Sequence, residues 1–264
     1  MVKLMVSQNY RTLSLVVRCL LVVAVVGLSL SAQGALVGLY RFENGGNLGL
    51  DSSTEGNNLN TAFSPTQSAD AQVGSGSFNS STGSLNNGTV TNYPSGSSAY
   101  TVAFWEKRSG AGSIFEFGNQ STSEWLGVGI AGSTNVTNNW WANDQTGVNG
   151  SSITNSAWHY VAATFDGTNR RIYVDGTLIN TLASAGKNTF NGNVSVNPGA
   201  QPATALLDDL AIFNEALSAG QLATISTGDF SAFFASEAVP EPSTFVLAAL
   251  GLAGLGLVAW RRRK

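Results

Sequence analysis

The sequence is poor in cysteine, which cross-links many exported proteins, and in histidine, a common catalytic residue. Its 264 residues include one cysteine, Cys19, and one histidine, His159. A single cysteine excludes an intrachain disulfide, so the fold must be held by an apolar core or a bound ion. Ser-His-Asp catalysis would have only one candidate base. Because His159 lies between Trp158 and Tyr160 in a strand-like segment, we expect it to be packed and hydrogen-bonded.

Charged residues are also scarce, at 11% of the chain. Between residues 35 and 240 there are six basic and 15 acidic side chains, a net charge of 6 − 15 = −9. Nucleic acids and anionic lipid surfaces are bound by basic stripes, which this body lacks. We therefore predict no nucleic-acid partner.

The N-terminus has the layout of an export signal. Basic residues precede an apolar run over residues 19–30, and small residues follow. This order is typical of a signal peptide, here with cleavage after Ala32 or Gly34. The run is about 12 residues, short of the roughly 20 that a transmembrane helix needs, which favours a cleaved signal over an uncleaved anchor. Residues 1–34 are therefore predicted to direct the chain to the Sec translocon.

The C-terminus has the layout of a membrane anchor. Residues 245–260, from Phe245 to Trp260, carry no charge and are followed by four basic residues at 261–264. A helix of this length reaches about 24 Å, which spans a locally thinned bilayer. The basic end is a positive-inside signal that stays in the cytoplasm. We predict a transmembrane helix here, with the body of the chain on the far side of the membrane.

A proline-rich motif stands directly before this run, at Val239, Pro240, Glu241 and Pro242. The prolines keep the backbone extended and outside the helix. Motif, short apolar run and basic tail together resemble the PEP-CTERM sorting signal of Gram-negative bacteria, here residues 239–264. The resemblance implies processing by an exosortase, a membrane cysteine transpeptidase, at these residues in a host that makes exopolysaccharide. The protein would be anchored transiently and then reach the cell surface or matrix. A plain anchor is the alternative.

Short runs of alternating apolar and polar residues, separated by turn residues, fill the body and indicate an all-β fold. The clearest strand is 158–165, followed by strands at 170–174 and 177–182. Asp166-Gly167 and Asp175-Gly176 separate them and supply the positive φ that tight hairpin turns require. Further strands are predicted at 36–42, 71–78, 88–93, 100–106, 113–117, 125–130 and 206–213.

A short helix is predicted at 218–226, because Ser218 and Gln221 form a capping-box pattern. Residues 227–238 have the composition of a linker. These features set the expected end of the folded body at residue 226.

A second resemblance rests on six segments that occur in matching order and spacing. They are 39–43, 51–57, 100–105, 158–167, 172–176 and 207–218. Together they resemble the laminin-G-like branch of the concanavalin A-like lectin/glucanase superfamily. The resemblance implies a two-sheet antiparallel jelly-roll β-sandwich over residues 35–226. The number of strands also favours a sandwich over an up-and-down barrel.

The sequence does not favour an enzyme. Glycoside hydrolysis needs two carboxyl groups about 5–10 Å apart. Glucanases of this superfamily arrange theirs as Glu-x-Asp-x-x-Glu, a run that is absent here. Glu106 and Glu116 lie near separate strands, and neither has a partner. A divergent polysaccharide hydrolase or lyase stays the least favoured alternative.

The second resemblance implies a structural calcium ion, which would tie the loop after the first strand to the last strand through oxygen ligands. The matching positions are Asp51, Asn57 and Asp208, with Glu43 or Asp209 as substitutes. The alternative is that Asp51 caps a turn and Asp208 pairs with Arg41.

A glycan site is suggested by the segment 138–144, where Trp140, Trp141 and Asn143 combine aromatic rings with an amide. Adjacent residues of a strand point to opposite faces of the sheet. One tryptophan could therefore pack in the core while the other faces a concave surface or solvent, although both could pack in the core. We expect an exported, non-catalytic recognition or structural protein linked to exopolysaccharide, with a lectin-like glycan-binding module as the alternative.

Overall fold

A computed structural model describes residues 35–149, 152–197 and 203–234. The predicted signal peptide, the sorting motif at 239–242 and the apolar run at 245–260 lie outside these residues. Within the described ranges, no helix combines the length and the apolar character needed to cross a bilayer.

The described ranges contain fifteen strands, one α-helix and one 3₁₀ turn. In chain order they are β1 Leu36–Tyr40, β2 Asn60–Ala62, β3 Thr66–Ser68, β4 Ser77–Asn79, β5 Ser84–Asn87, β6 Tyr100–Arg108, β7 Gly112–Gly118, β8 Trp125–Ala131, β9 Asn135–Asn139, β10 Asp144–Val148, β11 Trp158–Phe165, β12 Asn169–Val174, β13 Thr177–Ala183, β14 Val194–Val196, β15 Ala205–Phe213, α1 Ala219–Ile225 and η1 Ser231–Phe233.

The strands form two antiparallel sheets, as the sequence predicts. The back sheet has eight strands in the order β13-β12-β11-β6-β15-β4-β3, and β1 also pairs with β15. The front sheet has seven, in the order β10-β9-β8-β7-β14-β5-β2. A register shift between Asp208 and Ala211 divides β15, and Asp209 within it has a φ of 45°. This bulge separates the half of β15 that pairs with β4 from the half that pairs with β1.

Side-chain alternation along each strand builds the core. On β6, Tyr100, Val102 and Phe104 point between the sheets into the main apolar cluster. Ala103 and Trp105 point to the other side and join a second cluster on the outer face of the back sheet. Full burial of a side chain such as Val102 or Phe104 contributes about 1.5–3 kcal/mol to the free energy of unfolding.

The prediction of a linker at residues 227–238 is wrong for residues 227–234, which are part of the folded body. Phe230 and Phe233 are buried beside α1 on the back sheet. The Phe233 ring lies 4.8 Å from that of Phe213, centroid to centroid. Burial of these two rings attaches the chain after α1 to the sheet, so the body extends beyond residue 226.

The structure agrees with the sequence where turn chemistry is strong. Both Asp-Gly hairpins are present, with φ of 49° at Asp175 and 77° at Gly176. The capping box of Ser218 and Gln221 opens α1. The strand predicted at 88–93 is wrong, since the strand in this region is β5. The sequence does not predict strands β2, β3, β9, β10 and β14, because their exposed faces are polar and their apolar residues are few.

One charged pair is buried at the end of β6. Glu106 and Arg108 form an ion pair, and the side chains of both are 0% exposed. Burial raises the pKa of the Glu106 carboxyl, and the Arg108 charge opposes that shift. His159 lies opposite Glu106 in the neighbouring strand and is hydrogen-bonded at both ring nitrogens, to Asp175 and Asn155, as expected.

We predict that Arg108→Met destabilises the protein by about 3–5 kcal/mol, because Glu106 is left buried without its counter-charge. The double variant Glu106→Leu/Arg108→Met should recover most of that loss. Urea unfolding followed by tryptophan fluorescence measures both. Equal losses in the single and double variants would contradict the prediction.

Candidate functional site

A row of seven register-matched residues, six polar and one glycine, crosses the outer face of the front sheet. It takes one residue from each of the seven strands, matched by the strand register. In spatial order these residues are Asp144, Asn139, Gly127, Glu116, Ser195, Asn86 and Asn60. Their strand neighbours, such as Phe115 and Phe117 around Glu116, are buried between the sheets. We call this set the polar row.

Two tryptophans stand at the glycine of the polar row. The Trp125 indole covers Gly127, because a side chain built at that glycine would overlap the ring. The Trp141 ring packs against Trp125 edge to face, with centroids 5.9 Å apart and planes at 84°. Trp141 is 41% exposed. The polar row, Trp125 and Trp141 together form what we call the recognition face.

Glu116 is held within the recognition face by its neighbours. Burial raises the pKa of its carboxyl, while hydrogen bonds from Ser113 and Trp125 lower it. These interactions place the Glu116 carboxyl near the Ser113 side chain and the Trp125 indole. The glutamate is therefore a positioned hydrogen-bonding group at the centre of the row.

Of the three predicted glycan residues, Trp141 is exposed, Asn143 is partly buried and Trp140 is fully buried. Trp140 is 0% exposed, and its indole N–H donates to the Tyr100 hydroxyl at 3.0 Å. The Asn143 carbonyl and side-chain oxygens accept from the Arg170 guanidinium at 2.8 and 3.0 Å. Trp140 and Asn143 therefore have structural roles and not the predicted glycan-binding ones. The Arg170 guanidinium lies 4.0 Å from the centroid of the Trp140 ring, and Asn143 supplies acceptors that this buried group needs.

The predicted metal residues do not form one site. The Asp51 carboxylate accepts four hydrogen bonds, from the N–H groups of Leu39, Ser53 and Asn57 and from the Ser53 hydroxyl. The Asn57 amide is engaged by the backbone N–H and carbonyl of Thr91. Asp51 is therefore a loop cap, and the oxygens of this pair already have partners.

Asp208 lies against a different loop. Its Oδ2 accepts the N–H groups of Gln72 and Val73, both at 2.8 Å. Its Oδ1, and Oδ2 of neighbouring Asp209, are buried without a hydrogen-bond partner among the described residues. Burial raises the pKa of Asp208 to about 7 and that of Asp209 to about 6. The two carboxyls at the β15 bulge therefore have unfilled acceptor capacity.

The other residues considered for this site lie close enough to Asp209 to influence its pKa, but their hydrogen bonds go to other groups. Glu43 accepts hydrogen bonds from the N–H and hydroxyl of Ser75. Arg41 donates to the Gly228 carbonyl, and its charge lowers the pKa of Asp209 rather than pairing with Asp208. In the described ranges, no group of three or more acidic, histidine or cysteine side chains is placed to hold a metal.

The two glutamates considered for catalysis lie on different sheets. Glu106 is enclosed in the interior with Arg108. Glu116 faces outward on the front sheet, and Asp144 is three strands away in the same row. Three strand spacings of about 4.8 Å place these carboxyls roughly 14 Å apart, beyond the separation of a glycosidase pair.

Solved structures with this fold are numerous. Domain 4 of AbnA, a GH43 extracellular arabinanase from Geobacillus stearothermophilus, solved in complex with arabinotriose, is 18% identical with a TM-score of 0.60. The match covers 74% of this chain and 99% of that domain. The binding domain of botulinum neurotoxin serotype G is 15% identical with a TM-score of 0.56, covering 72% of this chain and 50% of that one. The chain thus spans about half the length of that toxin domain. At these identities the likeness shows the fold.

Family models give a more specific result. No curated protein sequence matches significantly. The PEP-CTERM protein-sorting motif matches residues 238–264, which identifies an exported, sorted surface protein and the exosortase-type machinery that processes it. A model of the concanavalin A-like lectin/glucanases superfamily matches residues 79–223. With more than half of its length matched and a two-sheet sandwich to agree with it, the chain belongs to the concanavalin A-like lectin/glucanases superfamily.

Proposed function

We propose that this protein is a non-catalytic module of the cell surface or extracellular matrix of a Gram-negative bacterium and binds a neutral polysaccharide. The observation that carries the proposal is the recognition face, where two tryptophans stand between hydrogen-bonding side chains of the row. The proposal brings together the surface role and the lectin-like role that the sequence leaves open.

The chemistry of the face suits a sugar chain. Exposed aromatic surface packs on the apolar face of a pyranose, and amides, hydroxyls and carboxylates bind its hydroxyl groups. Seven strands spaced by about 4.8 Å give the row a length of roughly 29 Å from end to end, enough for several sugar units. An extended polymer can therefore lie across the sheet.

Charge selects among polysaccharides. The row contains Asp144 and Glu116 and no basic residue, and the body as a whole carries −9. A uronate or sulfate polymer would meet like charge with no lysine or arginine to neutralise it. We therefore expect a neutral exopolysaccharide as ligand. The arabinotriose complex of AbnA domain 4 supports an oligosaccharide as a ligand class for this fold.

Export and sorting deliver the module to its ligand. In this proposal the signal peptide carries the chain through the Sec translocon, and residues 245–260 hold it in the membrane. An exosortase then processes the chain at Pro240, Glu241 or Pro242. The body is left at the surface, where exopolysaccharide is secreted.

We predict that the full chain binds neutral exopolysaccharides and that Trp141→Ala and Trp125→Ala each weaken binding about 5–10-fold, because each ring contributes about 1 kcal/mol. Isothermal titration against neutral and uronate-containing polysaccharides measures this. Leu178→Ala, which removes an exposed apolar side chain from the back sheet, is the matched control.

Four results would contradict the proposal. Preferential binding of uronate polymers would contradict the choice of a neutral ligand from charge. Equal losses of affinity in Leu178→Ala and Trp141→Ala would show that the recognition face is not the binding site. A flat response to every polysaccharide would favour a purely structural role. Turnover of any polymer that Glu116→Gln abolishes would instead indicate an enzyme.

We also propose that Asp208 and Asp209 bind a structural calcium ion. Their unpartnered buried oxygens fit a hard cation, whereas those of Asp51 and Asn57 are already occupied. Two carboxylates supply only part of a shell of six to eight oxygens, so carbonyls or waters would complete it. An ion there would also compensate two acidic groups held out of water.

We predict that calcium raises the thermal midpoint of the full chain by several degrees relative to chelator, since a ligand at 100 times its Kd adds about 2.7 kcal/mol. Asp208→Asn should abolish the shift. Asp51→Asn should lower the midpoint but keep the response to calcium. A midpoint of the wild-type chain that calcium leaves unchanged would rule the site out.

A further inference from the structure

A cavity opens on the outer face of the back sheet, on the side of the molecule away from the recognition face. It has a volume of about 310 Å³ and lies between α1 and the turn that follows β12. Its lining is mainly apolar and aromatic, and it includes Trp105, Tyr160, Tyr173, Asp175, Leu222 and Ala223. A volume near 300 Å³ is at the lower end of small-molecule sites.

Three aromatic residues on neighbouring strands form the floor. Trp105 on β6 is directly paired with Tyr160 on β11, and their ring centroids are 5.2 Å apart with planes tilted by 54°. Tyr173 stands on the adjacent strand, β12. The Trp105 indole N–H donates to the Ser226 carbonyl at 2.9 Å, which ties the end of α1 to the sheet. The rings are therefore fixed before any ligand arrives.

One carboxylate stands at the cavity, and no basic side chain is among its lining residues. Asp175 is half exposed, and it accepts hydrogen bonds from the Tyr160 N–H and from the His159 ring, both at 2.8 Å. These bonds hold the carboxylate beside the rings and leave it acceptor capacity. We call Trp105, Tyr160, Tyr173 and Asp175 the aromatic cage.

We propose that the aromatic cage binds a quaternary or alkylated ammonium group. Several rings around one compact space attract such a cation through the negative charge of their faces, and a nearby carboxylate adds to the attraction. A pyranose would fit less well, because the tilted rings of Trp105 and Tyr160 offer no flat platform. This site is separate from the proposed polysaccharide face and does not depend on it.

The test compares two ligands that differ only in charge. The full chain, in a polyoxyethylene detergent that carries neither sugar nor ammonium, is titrated calorimetrically with choline and with its neutral isostere 3,3-dimethyl-1-butanol. We expect choline to bind at least about 10-fold more tightly, as a desolvated cation–π contact implies. Equal affinities would overturn the proposal, as would no choline binding at 50 mM or preferential binding of a monosaccharide.

Matched variants separate charge from shape. Asp175→Asn keeps the acceptor for Tyr160 and tolerates the positive φ, so the fold should hold while choline binding weakens about 5-fold or more. Asp166→Asn, in the preceding hairpin turn, removes the same charge and should have no effect. Ala223→Phe should fill the cavity and abolish binding, whereas Thr224→Phe, one residue further on α1, should not. An Asp175→Asn variant that binds choline like wild type, with an unchanged thermal midpoint, would overturn the proposal.

The ammonium group could belong to a lipid or to a free solute. Because the anchor predicted at residues 245–260 would carry the full chain onto any vesicle, a soluble headgroup is used to distinguish these sources. Glycerophosphocholine, the headgroup of phosphatidylcholine, is titrated in the same detergent and compared with choline. Tighter binding of glycerophosphocholine indicates a lipid headgroup, and tighter binding of choline indicates a soluble trimethylammonium compound.

Discussion

The alternation of side chains along paired strands is the constraint on which the rest of the structure depends. Each strand sends one set of residues between the sheets and the other set outward. In the back sheet the outward set is apolar, and α1 with Phe230 and Phe233 covers it. In the front sheet the outward set is mostly polar or small, and its members Asp144, Asn86 and Asn60 are exposed. The same alternation therefore builds the core and leaves one face open to bind.

The two outer faces differ in chemistry as a result. The front sheet offers hydrogen-bonding groups in a line with two tryptophans, which suits a long neutral polymer. The back sheet offers a small aromatic cavity where its apolar cover ends, which suits a compact cation. The acidic charge is consistent with both proposed ligands. It repels uronate polymers, which leaves neutral ones, and it attracts ammonium groups. A protein sorted to the surface of a cell could hold matrix polysaccharide on one side and a small cationic group on the other.

Where local chemistry decides the structure, the sequence predicts it. The Asp-Gly hairpins, the capping box at Ser218 and the strongly alternating strands need no tertiary information. Where a distant partner decides the structure, the sequence alone does not predict it. Nothing local shows that Arg170 requires the Asn143 oxygens, or that Trp140 rather than Trp141 points inward. Trp125 carried a usable signal, because a glycine two residues later on the same face makes room for its ring. Strands rich in asparagine, such as β9, have too few apolar residues to be recognised alone.

The most direct measurement is the indole N–H nuclear magnetic resonance spectrum of the ¹⁵N-tryptophan-labelled full chain during titration with a neutral oligosaccharide. If the front sheet binds the sugar, the Trp125 and Trp141 signals shift together, while those of Trp105, Trp140 and Trp158 stay in place. Shifts at Trp105 or Trp158 with Trp125 and Trp141 unchanged would contradict a sugar site on the front sheet.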